Sequence, residues 1–119
     1  MNVINWFELP VVDMDRAVRF YEALTDKKLR RENFMDVPHA IFGASKDGVG
    51  GALIKQQNRK PVADGTTVYL DSSDIDAALE RVSKLGAEVR LPKTSIGPIG
   101  FIALLVDSEG NQVGLHSAP

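Results

Sequence analysis

The chain has 119 residues, of which 44% are hydrophobic and 25% are charged, the balance of one globular domain with a modest core. A formal net charge of −2 gives no basic footprint for nucleic acid, and no apolar run approaches the roughly 18 residues of a membrane span. The absence of cysteine excludes disulfides, thiolate metal sites and cysteine nucleophiles. We therefore expect a cytoplasmic protein with neither a nucleic-acid nor a membrane partner.

Two similar segments occur in the chain. DMDRAVRFYEAL begins at Asp13 and DIDAALERVSKL begins at Asp74. Each has apolar residues at i, i+3, i+4 and i+7, which form one face of a helix, and each starts with an aspartate suited to an N-cap. The pattern predicts two homologous halves with one helix each. The apolar positions are Met14, Ala17, Val18, Tyr21 and Leu24 in the first helix, and Ile75, Ala78, Leu79, Val82 and Leu85 in the second.

Short β-rich runs predict four strands in each half. The fold class is therefore α+β, with two βαβββ modules at about residues 1–58 and 65–119 in a single domain of residues 1–119. Turn residues occur at Lys46-Asp47-Gly48 and Asp107 to Gly110, and Gln57 to Gly65 is a polar linker. The predicted strands are Val3 to Val11, Leu29 to Met35, Ala40 to Phe42, Gly50 to Gln56, Thr67 to Leu70, Glu88 to Leu91, Phe101 to Val106 and Gln112 to His116.

Strand alternation divides the predicted sheets into two faces. Each helix has one apolar stripe, so apolar residues at alternate strand positions should face the helices. These residues are Phe7, Leu9, Val68, Leu70, Val113 and Leu115. The positions between them lie on the opposite face and form a mixed polar and aromatic surface, which is typical of a ligand pocket. These candidate site residues are Trp6, Glu8, Tyr69, Gln112 and His116.

The order of these elements and the ending GFIALLVDSEGNQVGLHS resemble the vicinal oxygen chelate superfamily of glyoxalases, bleomycin-resistance proteins and extradiol dioxygenases. The resemblance covers essentially the whole chain. It implies a mixed sheet curled around a cleft, and it implies a homodimer. In the enzymes it also implies a divalent metal held by His and Glu from the first and last strands of each module. The composition of Ser95 to Gly100, with two glycines and a proline, separately indicates a loop that could lie at the cleft mouth.

The positions that correspond to those ligands do not carry metal-binding side chains. They are occupied by Trp6, by an apolar residue near Ala52 to Ile54, by Thr67 or Val68, and by Gly114. The chain has two histidines, His39 and His116, and His39 follows Pro38 in a predicted surface turn. We therefore expect no metal and no other cofactor. A displaced two-ligand site at Glu8 and His116 is the alternative.

Three functions stay open. In the first, the cleft binds a small molecule without the usual metal, with Trp6 and Tyr69 stacking on the ligand and Glu8, Gln112 and His116 orienting it. In the second, the protein is a lyase or isomerase of the glyoxalase type. There, a desolvated Glu8 with a raised pKa abstracts a proton, and His116 or an unusual metal stabilises the enolate. In the third, the cleft serves a protein partner. The pattern does not decide whether the protein is an enzyme.

Overall fold

Two four-stranded sheets, one from each half of the chain, form the framework of the computed structural model, which describes residues 2–43 and 48–119. Each half is a βαβββ module, so the predicted α+β fold class is confirmed. The first module contains β1 (Trp6–Pro10), α1 (Met14–Thr25), β2 (Arg30–Phe34), β3 (Val37–Phe42) and β4 (Gly50–Ile54). The second contains β5 (Val68–Asp71), α2 (Ile75–Val82), β6 (Glu88–Ser95), a 3₁₀ turn (Gly97–Ile99), β7 (Phe101–Val106) and β8 (Gln112–Ser117).

The two sheets have the same topology. The strand orders are β1-β4-β3-β2 and β5-β8-β7-β6. The first strand of each module runs parallel to the last strand, as in the pairs β1–β4 and β5–β8, and the other pairs are antiparallel. The strands β1 and β5 therefore lie at sheet edges, each with a neighbour on one side. Neither helix in the described part of the chain is long and apolar enough to cross a membrane.

Both helices begin where the sequence predicts. The carboxylate of Asp13 accepts a hydrogen bond from the Arg16 N–H at 3.0 Å, and that of Asp74 accepts one from the Ala77 N–H at 3.1 Å. The second helix is shorter than predicted, since it ends at Val82 and continues as a turn. Leu85 lies beyond this end and is 37% exposed. The prediction that Leu85 belongs to the buried face of α2 was therefore wrong.

One hydrophobic core joins the two modules. The helix α1 packs on β3 and β4, α2 packs on β6 and β8, and the two helices contact each other. The predicted alternation is confirmed for five of its six residues, because Leu9, Val113 and Leu115 are core residues and Phe7 and Leu70 pack against the core. The sixth, Val68, is half-buried and is not part of this cluster. Burial of these side chains supplies most of the driving force for folding.

Arg81 of α2 connects the two helices directly. Its Nε donates to the carbonyl of Ala23 at 2.5 Å and its Nη2 donates to the carbonyl of Leu24 at 3.2 Å. Carbonyls in the last turn of a helix have no partner within the helix. Arg81 therefore both satisfies the C-terminal end of α1 and holds the modules together.

The loop between β7 and β8 is built around the buried Asp107. Its Oδ1 accepts the backbone N–H groups of Glu109, Gly110 and Asn111 at 2.8, 2.9 and 2.9 Å. The hydroxyl of Tyr21 in α1 donates to Oδ2 at 2.5 Å. Burial and the neighbouring carboxylate raise the pKa of the Tyr21 phenol well above its ordinary value, so the phenol stays protonated and acts as the donor.

Glu109 in the same loop binds the start of α1. Its carboxylate accepts the N–H groups of Val12 and Asp13 at 2.8 and 2.7 Å and the Arg16 Nε–H at 2.7 Å, and its side chain is 0% exposed. Burial alone would raise the pKa of Glu109, but the hydrogen bonds from Arg16, Asp13 and Val12 outweigh it and lower the pKa to about 2. The ionised carboxylate thus fastens the second module to the first.

Two details of the first module differ from expectation. His39 lies inside β3, not in a turn, because the chain reverses earlier, at Met35 and Asp36, which have φ angles of 51° and 62°. A turn with two positive φ angles is the usual two-residue hairpin, but its sequence signal is Asn-Gly or Asp-Gly, and Met-Asp lacks it. Of the turn predicted at Lys46-Asp47-Gly48, Lys46 and Asp47 lie outside the described part of the chain.

We expect Glu109→Gln to lower the free energy of unfolding at pH 7 by about 2 to 3 kcal/mol, because the variant loses the charged acceptor of these three hydrogen bonds. The pKa of the carboxylate is about 2 in the folded chain and about 4.3 in an unfolded one. The stability is therefore present above about pH 5 and is lost as the pH falls towards 2. The gap between parent and variant in urea denaturation should shrink by more than half between pH 7 and about pH 3.

The matched control is Glu88→Gln, which removes an exposed carboxylate and should leave the free energy of unfolding within about 0.5 kcal/mol of the parent. A gap for Glu109→Gln that is equally large at both pH values would contradict the ionised contact.

Candidate functional site

A cavity of about 810 Å³ is lined by residues of both β1 and β5. These strands are the edges of two different sheets and do not pair with each other, which leaves space between the modules. The linker that precedes β5 and the start of β8 complete the wall. This volume is within the range of small-molecule sites in proteins.

Four of the five predicted site residues line this cavity. Trp6 and Glu8 come from β1, Tyr69 from β5 and Gln112 from the start of β8. Trp6 and Tyr69 are 44% and 46% exposed, so their rings are accessible to a ligand. Most of the remaining wall is apolar and includes Ile4, Phe7, Leu9, Pro10, Val49, Val62, Val68 and Leu70.

Glu8 is paired with a cation. Its Oε1 accepts a hydrogen bond from Arg59 Nη1 at 2.7 Å, its Oε2 accepts one from the Trp6 indole Nε1 at 3.4 Å, and its side chain is 31% exposed. The Arg59 hydrogen bond lowers the pKa of Glu8, and it outweighs the partial burial that would raise it. The raised pKa that the enzyme alternative requires of a desolvated Glu8 is therefore not present. Glu8 is ionised at neutral pH and is a weaker base than an unpaired carboxylate.

Arg59 is the residue that sequence reasoning missed. It lies in the polar linker, where its backbone N–H donates to the carbonyl of Gln56 at 3.1 Å and closes a short turn. This turn folds the linker back, so that the guanidinium reaches β1. A carboxylate inside a strand indicates that a cationic partner is nearby. The sequence offers Lys55, Arg59 and Lys60 equally for this role. The path of the linker determines which of them reaches Glu8.

The side chain of Gln112 is held from two sides. Its Nε2 donates to the hydroxyl of Thr67 at 3.1 Å, and its Oε1 accepts from Arg90 Nη1 at 3.3 Å. Thr67 also lines the cavity. The amide is thus oriented beside the ligand space, with Thr67 as a second polar group next to it.

His116 lies further along β8. Its Nε2–H donates to the carbonyl of Ile99 at 2.7 Å, in the 3₁₀ turn that precedes β7. The cavity between β1 and β5 is lined by other residues. The segment Ser95 to Gly100 thus contacts His116 and forms no part of the lining of this cavity. A shared role of Glu8 and His116 stays a prediction.

The residue at the last ligand position of the superfamily's enzymes is covered by an aromatic ring. Gly114 pairs with Tyr69 in the parallel β5–β8 register. A Cβ atom at position 114 would collide with the Tyr69 ring, so the ring lies directly over the glycine. No side chain can project from this position while Tyr69 keeps its place.

The donor groups of the site do not fit a divalent metal. Across residues 2–43 and 48–119, no three His, Cys, Asp or Glu side chains converge on a common point. The two candidates for a displaced site are otherwise engaged, Glu8 with Arg59 and Trp6, and His116 with Ile99. Zinc and similar ions need three or four ligands of this kind in proteins.

Comparison with known proteins agrees with this fold. The model of the Glyoxalase/Bleomycin resistance protein/Dioxygenase superfamily matches residues 3–115. No curated protein sequence matches the chain. A glyoxylase/bleomycin resistance protein/dioxygenase domain from Frankia sp. EAN1pec superposes with a TM-score of 0.74 at 20% identity, covering 100% of this chain and 99% of that one.

Two further solved structures have functions in their names. An antibiotic-binding protein from Streptomyces sp. CB03234 has a TM-score of 0.68 at 21% identity, with coverage of 100% of this chain and 98% of that one. A glyoxalase I variant from Zea mays has a TM-score of 0.73 at 22% identity, with coverage of 95% of this chain and 45% of that one. This chain thus spans less than half of the maize enzyme.

Identities this low show a common fold and no more. The family model, by contrast, matches nearly the whole chain, including both helix segments and the loop around Asp107. The chain therefore belongs to the glyoxalase, bleomycin resistance protein and dioxygenase superfamily.

Proposed function

We propose that this protein binds a small molecule in the cavity between β1 and β5, without the metal that enzymes of its superfamily use. The observation that carries the proposal is the cavity itself, about 810 Å³ in volume. It presents the Trp6 indole and the Thr67 hydroxyl where metal ligands are expected. Most of its wall is apolar and a few polar groups point towards one space, as in small-molecule sites generally.

Each lining residue has a role that its contacts support. Trp6 and Tyr69 offer accessible rings for stacking on a flat ligand. Arg59 contacts Glu8 and Thr67 contacts Gln112. The ionised Glu8 can accept hydrogen bonds from the ligand, and the Gln112 amide can both donate and accept them. His116 remains a proposed additional contact. The fold of the antibiotic-binding protein from Streptomyces supports a binding role of this kind.

The alternative is a lyase or isomerase of the glyoxalase type with Glu8 as general base. A general base works best with a pKa near the working pH. The pairing with Arg59 moves the pKa of Glu8 in the opposite direction. The ion pair between Glu8 and Arg59 therefore favours the ligand-binding function over the enzymatic one.

We expect Trp6→Ala and Tyr69→Ala each to weaken ligand binding by about tenfold or more, because each removes a stacking surface. The ligand is one found by thermal-shift screening of flat apolar compounds, and affinity is measured by isothermal titration calorimetry. Val89→Ala is the control, since Val89 is an apolar side chain on β6 that is 46% exposed and lies outside this cavity.

Binding in both cavity variants that equals binding in the parent would refute the site. The same titration with His116→Ala tests the remaining predicted residue. Weaker binding would place His116 at the ligand, and unchanged binding would limit the site to the β1–β5 cavity.

We expect the purified protein to retain much less than one metal ion per chain after dialysis, because Trp6 and Gly114 stand at ligand positions and Glu8 is occupied by Arg59. Elemental analysis for zinc, nickel, iron and manganese is the measurement. An equimolar metal that is retained by the parent and lost in Glu8→Gln would overturn the proposal and support the enzyme.

We also infer a homodimer. The β2–β3 hairpin exposes large apolar side chains, with Phe34 at 49% and Met35 at 96% exposure, and exposed apolar surface of this kind favours association. Light scattering should give twice the chain mass of 13.0 kDa. A monomer at micromolar concentration would contradict the dimer.

A further inference from the structure

The formal charges on the cavity wall all have one sign. The ionisable carboxylates that line it are Glu8 from β1, Asp64 from the linker and Asp71 from β5, and the described lining contains neither lysine nor arginine. The three acids come from three separate segments that meet at one space. Each of these carboxylates contributes a negative potential to the cavity, and the contribution of Glu8 is offset while its cationic partner is in place.

One of these acids already binds a cation. The Arg59 guanidinium reaches Glu8 Oε1 at 2.7 Å from outside the cavity lining. The Arg59 side chain is 42% exposed, so its ion pair is partly solvated and is worth little in free energy. A positive group of a ligand can replace a partner held this weakly.

The aromatic walls attract the same kind of charge. The faces of Trp6 and Tyr69 are regions of negative potential to which a cation is drawn, most strongly by an indole. Trp6 also borders a second depression, of about 560 Å³, whose charged residues are Lys28 and Arg30. The sign of the lining charge thus changes across the indole. A cation is therefore favoured on the Glu8 side of the indole.

We propose that the cavity selects ligands that join a positive charge to a flat apolar group, and that Arg59 competes with this charge for Glu8. This inference rests on the proposed small-molecule function and adds the chemical class of the ligand. It makes Arg59 a specificity-determining residue. Removing Arg59 and removing the charge of Glu8 should then change the preference for cations in opposite directions.

The test uses three probes of similar shape and different charge, the cation N-methylquinolinium, the neutral quinoline and the anion naphthoate. Affinities come from isothermal titration calorimetry. The chain has one tryptophan, so the NMR signal of the Trp6 indole N–H reports binding at the site. We expect the cation to bind about three- to tenfold more tightly than quinoline at low salt, and this ratio to fall as the salt concentration rises.

Two variants then test the roles of the ion pair. Glu8→Gln should reduce the ratio of cation to quinoline affinity about threefold, and Arg59→Gln should increase it about threefold. Quinoline affinity should stay unchanged in both. The matched controls are Glu80→Gln and Lys60→Gln, which make the same changes in net charge at exposed positions and should leave the ratio unchanged.

The possible failures are distinct. If no probe binds the parent protein or shifts the Trp6 signal, the small-molecule site fails and this inference fails with it. If quinoline or naphthoate binds as tightly as the cation, the charge preference is wrong while the site stands. The charge preference would likewise be overturned if the ratio of cation to quinoline affinity is unchanged in both ion-pair variants or is insensitive to salt. The salt series needs no variant and so does not depend on their folding.

Discussion

The buried carboxylate of Glu109 fixes the spacing on which the site depends. It holds the backbone that follows β1, through Val12 and Asp13. Next to it, the amide of Asn111 donates to the carbonyl of Pro10 at the end of β1 at 2.8 Å. Asn111 leads directly into β8, which pairs with β5. These few hydrogen bonds therefore set the position of β1 relative to β5, and with it the width of the cavity between them.

The site belongs to neither module alone. Each half of the chain forms the same sheet with its first strand at an edge, and the cavity exists because the two edges face a common space. One edge supplies Trp6 and Glu8 and the other supplies Tyr69. The repeat thus gives the symmetric framework, while different residues at matching positions give the two walls their different chemistry. An identical pair of modules would have no such division of roles.

The fold was largely predictable because its determinants are local. The caps at Asp13 and Asp74 and the alternation around Leu9 depend on residues a few positions apart. The pairing of Glu8 with Arg59 was not predictable. It depends on how a linker without regular periodicity returns to β1. This contact lowers the pKa of Glu8, whereas a desolvated Glu8 without a partner would have a raised pKa. The end of α2 was also missed, because an apolar stripe can continue past the last helical residue.

The contact between Tyr69 and Gly114 has a consequence for the evolution of metal binding in this protein. Because the ring lies over the glycine, a histidine or glutamate is accommodated at position 114 only if the Tyr69 ring moves away or is replaced by a smaller side chain. Replacement of Tyr69 alone would remove an aromatic wall without providing a ligand. The two positions are therefore coupled. A route to a metal-dependent relative that begins with replacement of Tyr69 therefore passes through an intermediate that has lost the aromatic wall and has not yet acquired the metal ligand.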